Sequence, residues 1–242
     1  MRRHRVRLER LAEGERILHG PAAHHLARVL RVRPGARIAA FDGAGAEASG
    51  TVRSIDGEAV CLYLEAPGPA TTEADRAVTL APALLKGDKL ADVVRMATEL
   101  GVVAVRPVRT RRCDVREVSP ARLTRWRRVA EEAARQSGRA RVPEVDDVVA
   151  LERLEWTGAL WIADPLAEAT LADAMADLDA DRLGATPTAV TIVTGPEGGL
   201  APDEGGPLVA RGGRAVALGR RVLRAETAPV AVAAALLTWD GT

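Results

Sequence analysis

The first part of the chain alternates short apolar segments with turn signals. The pattern predicts three short strands separated by Asp-Gly dipeptides: 37–41, 50–55 and 59–64. Asp-Gly between alternating strands is a strong hairpin signal. One short helix is predicted over about residues 22–30, before the Arg33-Pro34-Gly35 turn. We therefore expect a small β-barrel over residues 1–70.

Beyond the Pro- and Gly-rich linker 66–72, strand patterns alternate with helical ones. The predicted strands are 78–81, 102–105, 159–162, 189–193 and 215–218. The predicted helices are 90–100 (ended by Gly101), 123–133, 171–178 and 228–237. Such alternation implies a parallel sheet in an α/β domain, which we expect to span residues 74–242. The last helix is apolar nearly all round, so it should be buried in the fold or in a subunit contact.

Charge is unevenly distributed along the chain, although the formal net charge is only +1. Residues 1–40 contain ten arginines and three acidic residues, and residues 106–141 contain twelve arginines and four acidic residues. Clustered basic residues favour a polyanionic partner such as nucleic acid. A GC-rich genome explains why only Lys86 and Lys89 are lysines, but it does not explain the clustering.

The two cysteines and the hydropathy of the chain limit the classes of protein to which it can belong. Cys61 and Cys113 have neither C-x-x-C spacing nor histidine clusters beside them, so we expect no metal site and no disulfide framework. No apolar run reaches the roughly 20 residues of a membrane helix. No apolar segment follows the basic start of the chain, so a secretory signal is not predicted. We therefore expect a cytoplasmic protein without a membrane partner.

The segment Thr194–Gly199 is a glycine-rich loop that directly follows the predicted strand 189–193. Ligands of parallel α/β sheets bind beyond the carboxyl ends of the strands, and glycine lets a ligand approach the main chain. The segment matches neither a Walker A loop nor the dinucleotide fingerprint. By spacing alone, a structural turn explains it as well as a ligand loop does.

Two further segments carry candidate chemistry. Residues 218–228 follow another predicted strand and bring Arg224, Glu226 and Thr227 together. They also suit a plain helix start, in which Thr227 is the N-cap. Arg125 to Pro143 is Arg-rich and suits RNA phosphates and base edges, although a solvated amphipathic helix has the same pattern.

Taken together, these segments resemble the RsmE family of small-subunit ribosomal RNA uridine-N3 methyltransferases, in the SPOUT superfamily. The resemblance spans nearly the whole chain, and its specificity lies in the shared order of the motifs. Besides the two glycine-bearing segments, it rests on His25–Arg31, Phe41–Gly43, Lys86–Lys89, Ala97–Gly101, Arg111–Cys113, Gln136–Arg139 and Val142–Pro143.

The resemblance implies a PUA-like RNA-binding barrel, an α/β domain with a deep trefoil knot, and a homodimer with each cofactor site close to the partner subunit. It implies that S-adenosylmethionine is bound and S-adenosylhomocysteine released, without a metal. One wall of that pocket would be Thr194, Gly195, Pro196, Glu197 and Gly198, and the other Leu218, Gly219, Leu223, Arg224, Glu226, Thr227 and Ala228. The chain departs from the family pattern at Arg135, Leu200 and Arg220, and Arg220 bears on the stiffness of its loop.

The function implied is methylation of N3 of a uridine in 16S ribosomal RNA, on the assembled or assembling small subunit. The catalytic candidates are Arg224, Glu226 and Arg139. The RNA-binding candidates are Arg2, Arg3, Arg28, Arg31, Arg111, Arg125, Arg128 and Arg139. Two alternatives remain at this stage: a SPOUT methyltransferase acting on transfer RNA or on a ribose 2′-hydroxyl, and a non-catalytic ribosome-assembly factor that binds RNA.

Overall fold

The computed structural model describes residues 4–180 and 189–238, and the chain divides into two compact units. The first unit comprises residues 1–73 and 134–142, and the second comprises residues 74–133 and 143–242. The segment 134–142 thus belongs to the first unit although it follows the linker in sequence. Arg2 and Arg3, two of the RNA-binding candidates, lie outside the described residues.

Six strands form the sheet of the first unit. They are β1 His4–Arg7, β2 Gly14–Leu18, β3 Arg37–Phe41, β4 Ala46–Asp56, β5 Ala59–Leu64 and β6 Gly68–Pro69. Their order is β1-β3-β4-β5-β2, and β6 pairs with β4. The three predicted strands are confirmed as β3, β4 and β5. On β5, Val60, Leu62 and Leu64 are fully buried and alternate with partly exposed residues, because successive side chains of a strand point to opposite faces.

The predicted helix of the first unit is confirmed. It consists of α1, Gly20–His24, which continues as a π-helical turn, His25–Val29. Ala23 and Leu26 are buried in the core formed with the sheet. The helix therefore closes the apolar core of this unit, while Val29 is 60% exposed.

Glu73 organises the turn at residues 138–141 within the first unit. One carboxylate oxygen accepts hydrogen bonds from Arg139 Nε (3.2 Å) and Nη2 (2.7 Å), and the other accepts from the backbone amides of Ala140 and Arg141, both at 2.9 Å. Arg139 is only 3% exposed. Burial by itself would raise the pKa of Glu73, but the hydrogen bond and charge of Arg139, with the two amides, outweigh it and lower the pKa.

A six-stranded sheet forms the centre of the second unit, with the order β10-β8-β7-β13-β12-β14. The strands of this unit are β7 Ala77–Pro82, β8 Ala104–Val105, β9 Val108–Arg109, β10 Glu144–Val145, β11 Val149–Ala150, β12 Ala159–Ala163, β13 Ala189–Thr194 and β14 Arg214–Val216. Every pairing in the six-stranded sheet is parallel, which confirms the predicted parallel α/β sheet. The strands β9 and β11 form a separate parallel pair.

The helices of this part of the chain are α2 Lys89–Leu100, α3 Pro120–Ser137, α4 Leu171–Ala180, α5 Pro202–Ala210 and α6 Thr227–Leu237, with a 3₁₀ turn at Leu151–Arg153. As predicted, Gly101 ends α2, in the left-handed conformation with φ of 113°. The apolar helix α6 packs on α2, β7 and β13. It buries Pro229, Val232, Ala233 and Leu236, while its other apolar residues are only partly covered.

Several boundaries differ from the prediction, and some elements were not predicted. The strand expected over 102–105 is reduced to the two residues of β8, and the strand expected over 215–218 begins at Arg214 and ends at Val216. The helix α5 was not predicted, because Gly205, Gly206 and Pro207 are poor helix formers.

The trefoil knot stays a prediction. No helix within 4–180 and 189–238 is long and apolar enough to cross a membrane.

We expect Glu73→Gln to lower the free energy of unfolding by roughly 1–3 kcal/mol at pH 7, because it weakens the charge-assisted hydrogen bonds that the buried Arg139 donates. The pKa of Glu73 is lower in the folded state than its unfolded value of about 4.5. The stabilisation is therefore complete well above pH 4.5 and is lost as the pH falls through the folded-state pKa. Urea unfolding at several pH values measures this difference.

The matched control is Glu65→Gln in the same unit, because Glu65 makes an exposed ion pair with Arg37 at 3.4 Å. Exposed pairs contribute about 0–1 kcal/mol, so this variant should unfold close to the wild type. Equal stabilities of the two variants at pH 7 would contradict the assignment of Glu73 as the organiser of the turn.

Candidate functional site

The two glycine-bearing segments line one cavity in the second unit, with a volume of about 1000 Å³. It lies where β13, β12 and β14 end, because the carboxyl ends of neighbouring parallel strands meet at one edge of a sheet. The predicted residues that line it are Thr194, Gly195, Pro196, Glu197, Leu218, Gly219, Leu223, Arg224, Glu226 and Ala228. Gly198, Thr227 and Arg139 are not among the lining residues.

The loop that follows β13 folds back sharply on itself. The amide of Gly199 donates to the carbonyl of Pro196 at 2.9 Å. A Cβ atom at Gly195 would lie 3.0 Å from the backbone nitrogen of Leu200 and 3.2 Å from the carbonyl carbon of Gly199. A side chain at Gly195 would therefore force the backbone of the loop to move, and the bare glycine leaves its main chain open to the cavity.

Arg112 lies outside this loop in sequence, yet it binds the loop, and it was not predicted as a site residue. Its Nη1 donates to the carbonyl oxygens of Gly198 (2.9 Å) and Leu200 (3.2 Å), and the side chain also lines the cavity. The neighbouring amide of Arg111 donates to Glu204 Oε1 at 2.7 Å, while Glu204 Oε2 accepts from the amide of Ala201. The segment at Arg111 and Arg112 thus fixes both the loop and the start of α5.

The second loop leads from β14 into α6. Gly219 has φ of +132°, a conformation that L side chains rarely adopt. The carbonyl of Arg224 accepts the amides of Thr227 and Ala228, so that Thr227 is already the first residue of α6. The prediction of Thr227 as the N-cap is therefore wrong. Glu226 occupies that position, with no capping hydrogen bond from its side chain.

A lysine joins the acidic residues of the two loops. Lys89 Nζ lies 3.1 Å from Glu197 Oε1, in the first loop, and 3.3 Å from Glu226 Oε2, in the second. The hydrogen bond to Glu197, followed by the carboxylate of Glu226, raises the pKa of Lys89. The three groups therefore stay ionised at neutral pH.

The pKa of each carboxyl group in this cluster is lowered. For Glu197, burial alone would raise the pKa, but hydrogen bonds from its own amide and from Lys89 outweigh that effect. For Glu226, the hydrogen bond from its own amide is the largest cause, and Lys89 adds to it. Both are poor proton acceptors at neutral pH, since a base works best with a pKa near the working pH.

The third wall of the cavity comes from the end of β12 and was not predicted. It includes Ile162, Asp164 and Leu166, and Asp164 Oδ1 accepts the amide of Leu166 at 2.9 Å. On the opposite wall, Thr194 is 1% exposed, and its hydroxyl has no hydrogen-bond partner in the described part of the chain. A buried polar group without a partner is costly, so this hydroxyl suits a polar ligand.

The arginines that were predicted to bind RNA and that the structure describes fall into three groups. Arg28, Arg31 and Arg128 are exposed, and none makes an ion pair or hydrogen bond through its guanidinium with another described residue. Arg111 is exposed but pairs with Asp203, and Arg125 is exposed and pairs in bidentate fashion with Asp88, at 2.9 and 3.1 Å. Arg139 is buried and bound by Glu73, so its direct contact with a substrate stays a prediction.

Comparison with known proteins agrees with both units. Residues 72–237 match the family of RNA methyltransferase domains, and residues 18–62 match the RNA methyltransferase PUA domain. The chain is 34% identical to ribosomal RNA small subunit methyltransferase E of Synechocystis over 91% of this chain and 72% of that protein. It is also 34% identical to the Mycobacterium bovis protein of the same name, over 93% of this chain and 88% of that one.

A solved structure covers the whole chain. It is the crystal structure of ribosomal RNA small subunit methyltransferase E from Neisseria gonorrhoeae bound to S-adenosyl methionine. The TM-score is 0.85 and the sequence identity 30%, with complete coverage of both chains. The similarity therefore extends over the first unit as well as the α/β unit.

Proposed function

Because the chain belongs to the ribosomal RNA small subunit methyltransferase E family, we propose that it transfers a methyl group from S-adenosylmethionine to N3 of a uridine in 16S ribosomal RNA. The substrate is the assembled or assembling small subunit, and S-adenosylhomocysteine is the second product. The observation that carries the proposal is the meeting of the loops after β13 and β14 in one cavity.

The residues of the cavity fit S-adenosylmethionine. The volume of about 1000 Å³ is at the upper end of small-molecule sites. Leu218, Leu223 and Ile162 offer apolar surface, while the hydroxyl of Thr194 and the carboxylate of Asp164 offer polar atoms. The bound cofactor supplies an activated sulfonium methyl group. The contribution of the protein is to align the acceptor nitrogen with it, which lowers the barrier by removing rotational and translational freedom.

Arg224 is the residue to which we assign charge stabilisation. It lines the cavity, and its guanidinium makes no hydrogen bond or ion pair with another described residue. The uracil N3 loses its proton during methylation, so negative charge develops on the ring imide. Arginine cannot accept that proton near neutral pH, but an unpaired guanidinium can stabilise the anion.

Glu226 has a different role in this proposal. Its lowered pKa and its pairing with Lys89 keep it a carboxylate, and they make it a weak base. We therefore assign Glu226 to shaping the second loop next to Arg224 and leave the proton to solvent or to a group of the RNA. Glu197 is bound by the same lysine and lies in the opposite wall.

RNA binding is assigned to the exposed arginines of both units. Arg28 and Arg31 lie on either side of the exposed Val29 in the unit that matches the PUA domain. Arg128 lies on α3, and Arg111 and Arg125 would exchange their carboxylate partners for phosphate. Arg139 shapes the 138–141 turn through Glu73. Phosphate contacts of this kind provide affinity and orientation rather than sequence specificity.

A homodimer is part of the same proposal. The helix α6 is apolar all round, yet Val230, Ala231 and Ala234 are only partly covered within one chain. Leu166 and Val222, at the cavity, are 91% and 81% exposed. Exposed apolar residues of this extent beside a site are typical of a surface that a second subunit covers.

The direct test supplies purified protein with S-adenosylmethionine and small subunits from a strain that lacks this methylation. Nucleoside mass spectrometry should then detect 3-methyluridine. Arg224→Ala should reduce the rate of transfer by about 100-fold or more while cofactor binding and fold are kept, because it removes stabilisation of the developing charge. Methylation of a ribose hydroxyl or of transfer RNA would overturn the proposed substrate.

The matched control for this experiment is Arg220→Ala. Arg220 is exposed, lies in the same segment and does not line the cavity. Its removal should leave the rate within about twofold of wild type, since exposed arginines away from the reacting atoms contribute little. Cofactor binding by wild type without any methyl transfer would favour a non-catalytic assembly factor.

Arg28→Ala/Arg31→Ala should weaken RNA binding and lower the slope of log affinity against log salt by about two, one for each phosphate that the variant no longer neutralises. Filter binding at several salt concentrations measures both quantities. Arg37→Ala is the control, because it removes an exposed arginine of the same unit that is not among the RNA-binding candidates. An unchanged salt slope in the double variant would remove Arg28 and Arg31 from the interface.

Light scattering at micromolar concentration should give a mass twice the 25.6 kDa of one chain. Val230→Arg should shift the protein toward monomer, because a charge on an apolar contact is costly to bury. A wild-type protein that is monomeric under these conditions would contradict the dimer.

A further inference from the structure

We propose that Lys89 is a positioning residue that holds the two walls of the cofactor cavity at the separation needed for binding. The inference rests on the proposed function and deepens it, because it concerns how the S-adenosylmethionine site keeps its shape. Lys89 is the first residue of α2 and belongs to neither glycine-bearing loop. Its side chain nevertheless reaches both of them.

The two walls need such a link because their strands are not neighbours. The strand β12 lies between β13 and β14 in the sheet. The loops that follow β13 and β14 therefore begin at strands that do not pair with each other. Among the described residues, no hydrogen bond or ion pair joins the loop 194–200 directly to the loop 217–226. Lys89 bridges them through Glu197 on one side and Glu226 on the other.

The bridge between the two carboxylates depends on the positive charge of Lys89. Two carboxylates and one ammonium leave the cluster with one net negative charge, and each carboxylate is attracted to the shared cation. Without that cation the carboxylates repel each other and push the walls apart. For two carboxylates about 6 Å apart, the repulsion energy depends on the dielectric constant. With a dielectric constant between that of a protein surface and that of water, this energy changes the equilibrium constant for holding the two walls together roughly three- to hundredfold.

The other charged groups of the cavity do not replace the lysine. Arg112 donates its hydrogen bonds to the carbonyls of Gly198 and Leu200, within the first wall alone. Arg221 and Arg224 belong to the second wall, and Asp164 adds a negative charge at the end of β12. No histidine of the described ranges lines the cavity, so no imidazole among them obscures a pH dependence between pH 5 and 8.

The chain offers a closely matched control. Lys86 is the other lysine of the protein and lies three residues before Lys89. Its ammonium pairs with Asp114 at 3.0 Å, with both side chains more than 60% exposed, and it does not line the cavity. Lys86→Met therefore removes the same charge from the same segment without breaking the bridge.

The experiment measures the Kd for S-adenosylmethionine by calorimetry with the full-length protein. Lys89→Met should raise the Kd about tenfold at pH 7.5, whereas Lys89→Arg and Lys86→Met should stay within about threefold of wild type. The KM for S-adenosylmethionine should rise in Lys89→Met in parallel with the Kd, because the loss is in cofactor binding. Thermal unfolding should differ little between the two methionine variants, since partly exposed ion pairs add little stability.

Two readouts separate positioning from direct contact with the ligand. As the pH is lowered, the Kd of Lys89→Met should approach that of wild type, because each carboxylate raises the pKa of the other once the lysine is gone, and protonation of one of them relieves the repulsion. Lys89→Met/Glu226→Gln should bind more tightly than Lys89→Met at pH 7.5 for the same reason, and Glu226→Gln alone completes the double-mutant cycle.

Each contrary outcome has a distinct meaning. A wild-type Kd for Lys89→Met overturns the inference, and so does a loss that neither low pH nor Glu226→Gln reverses, because the lysine would then contact the ligand itself. A fall in Tm well beyond that of Lys86→Met also overturns it, since the lysine would then support the fold. If wild type itself fails to bind S-adenosylmethionine, it is the proposed function that fails.

Discussion

Parallel pairing throughout the central sheet of the second unit is the constraint on which the site depends. Strands that run in one direction must be connected across the faces of the sheet, and their carboxyl ends therefore lie along one edge. The strands β13, β12 and β14 are consecutive in the sheet, so the segments that follow them surround a common space. A cavity at this edge is a consequence of the topology before any side chain is considered.

The shape of that cavity depends on groups supplied by other elements. Loops rich in glycine have little apolar surface to pack and more backbone freedom than other loops, so hydrogen bonds and ion pairs must define their conformation. Arg112 supplies donors to the loop after β13, and Lys89 supplies one charge to both loops. The first unit uses the same device, since one carboxylate, that of Glu73, orders an entire turn.

Elements with strong periodicity could be predicted from the sequence, and weakly patterned ones could not. The apolar runs of β7, β12 and β13 and the striped helices α2 and α3 agree with their predictions, because each buries a continuous face. The strands β1 and β2 were missed because charged residues interrupt their alternation. The helix α5 has a local start signal in Pro202, Asp203 and Glu204, but Gly205, Gly206 and Pro207 follow at once, and Glu204 also accepts the amide of the distant Arg111. The length of β8 is set by its pairing with two residues of β7.

The sequence by itself determined the class of fold, the positions of both glycine-bearing loops, the clustered positive charge and the resemblance to a methyltransferase family. Burial period and turn chemistry can be read within one segment, and the order of the motifs can be read along the chain without knowledge of its path in space. Only the tertiary structure decided that Lys89 meets Glu197 and Glu226, that Arg112 holds the first loop, and that Glu73 binds Arg139. The physical reason is that an ion pair between distant segments depends on the path of the whole chain. A charged residue has the same local pattern whether it faces solvent or a partner many residues away.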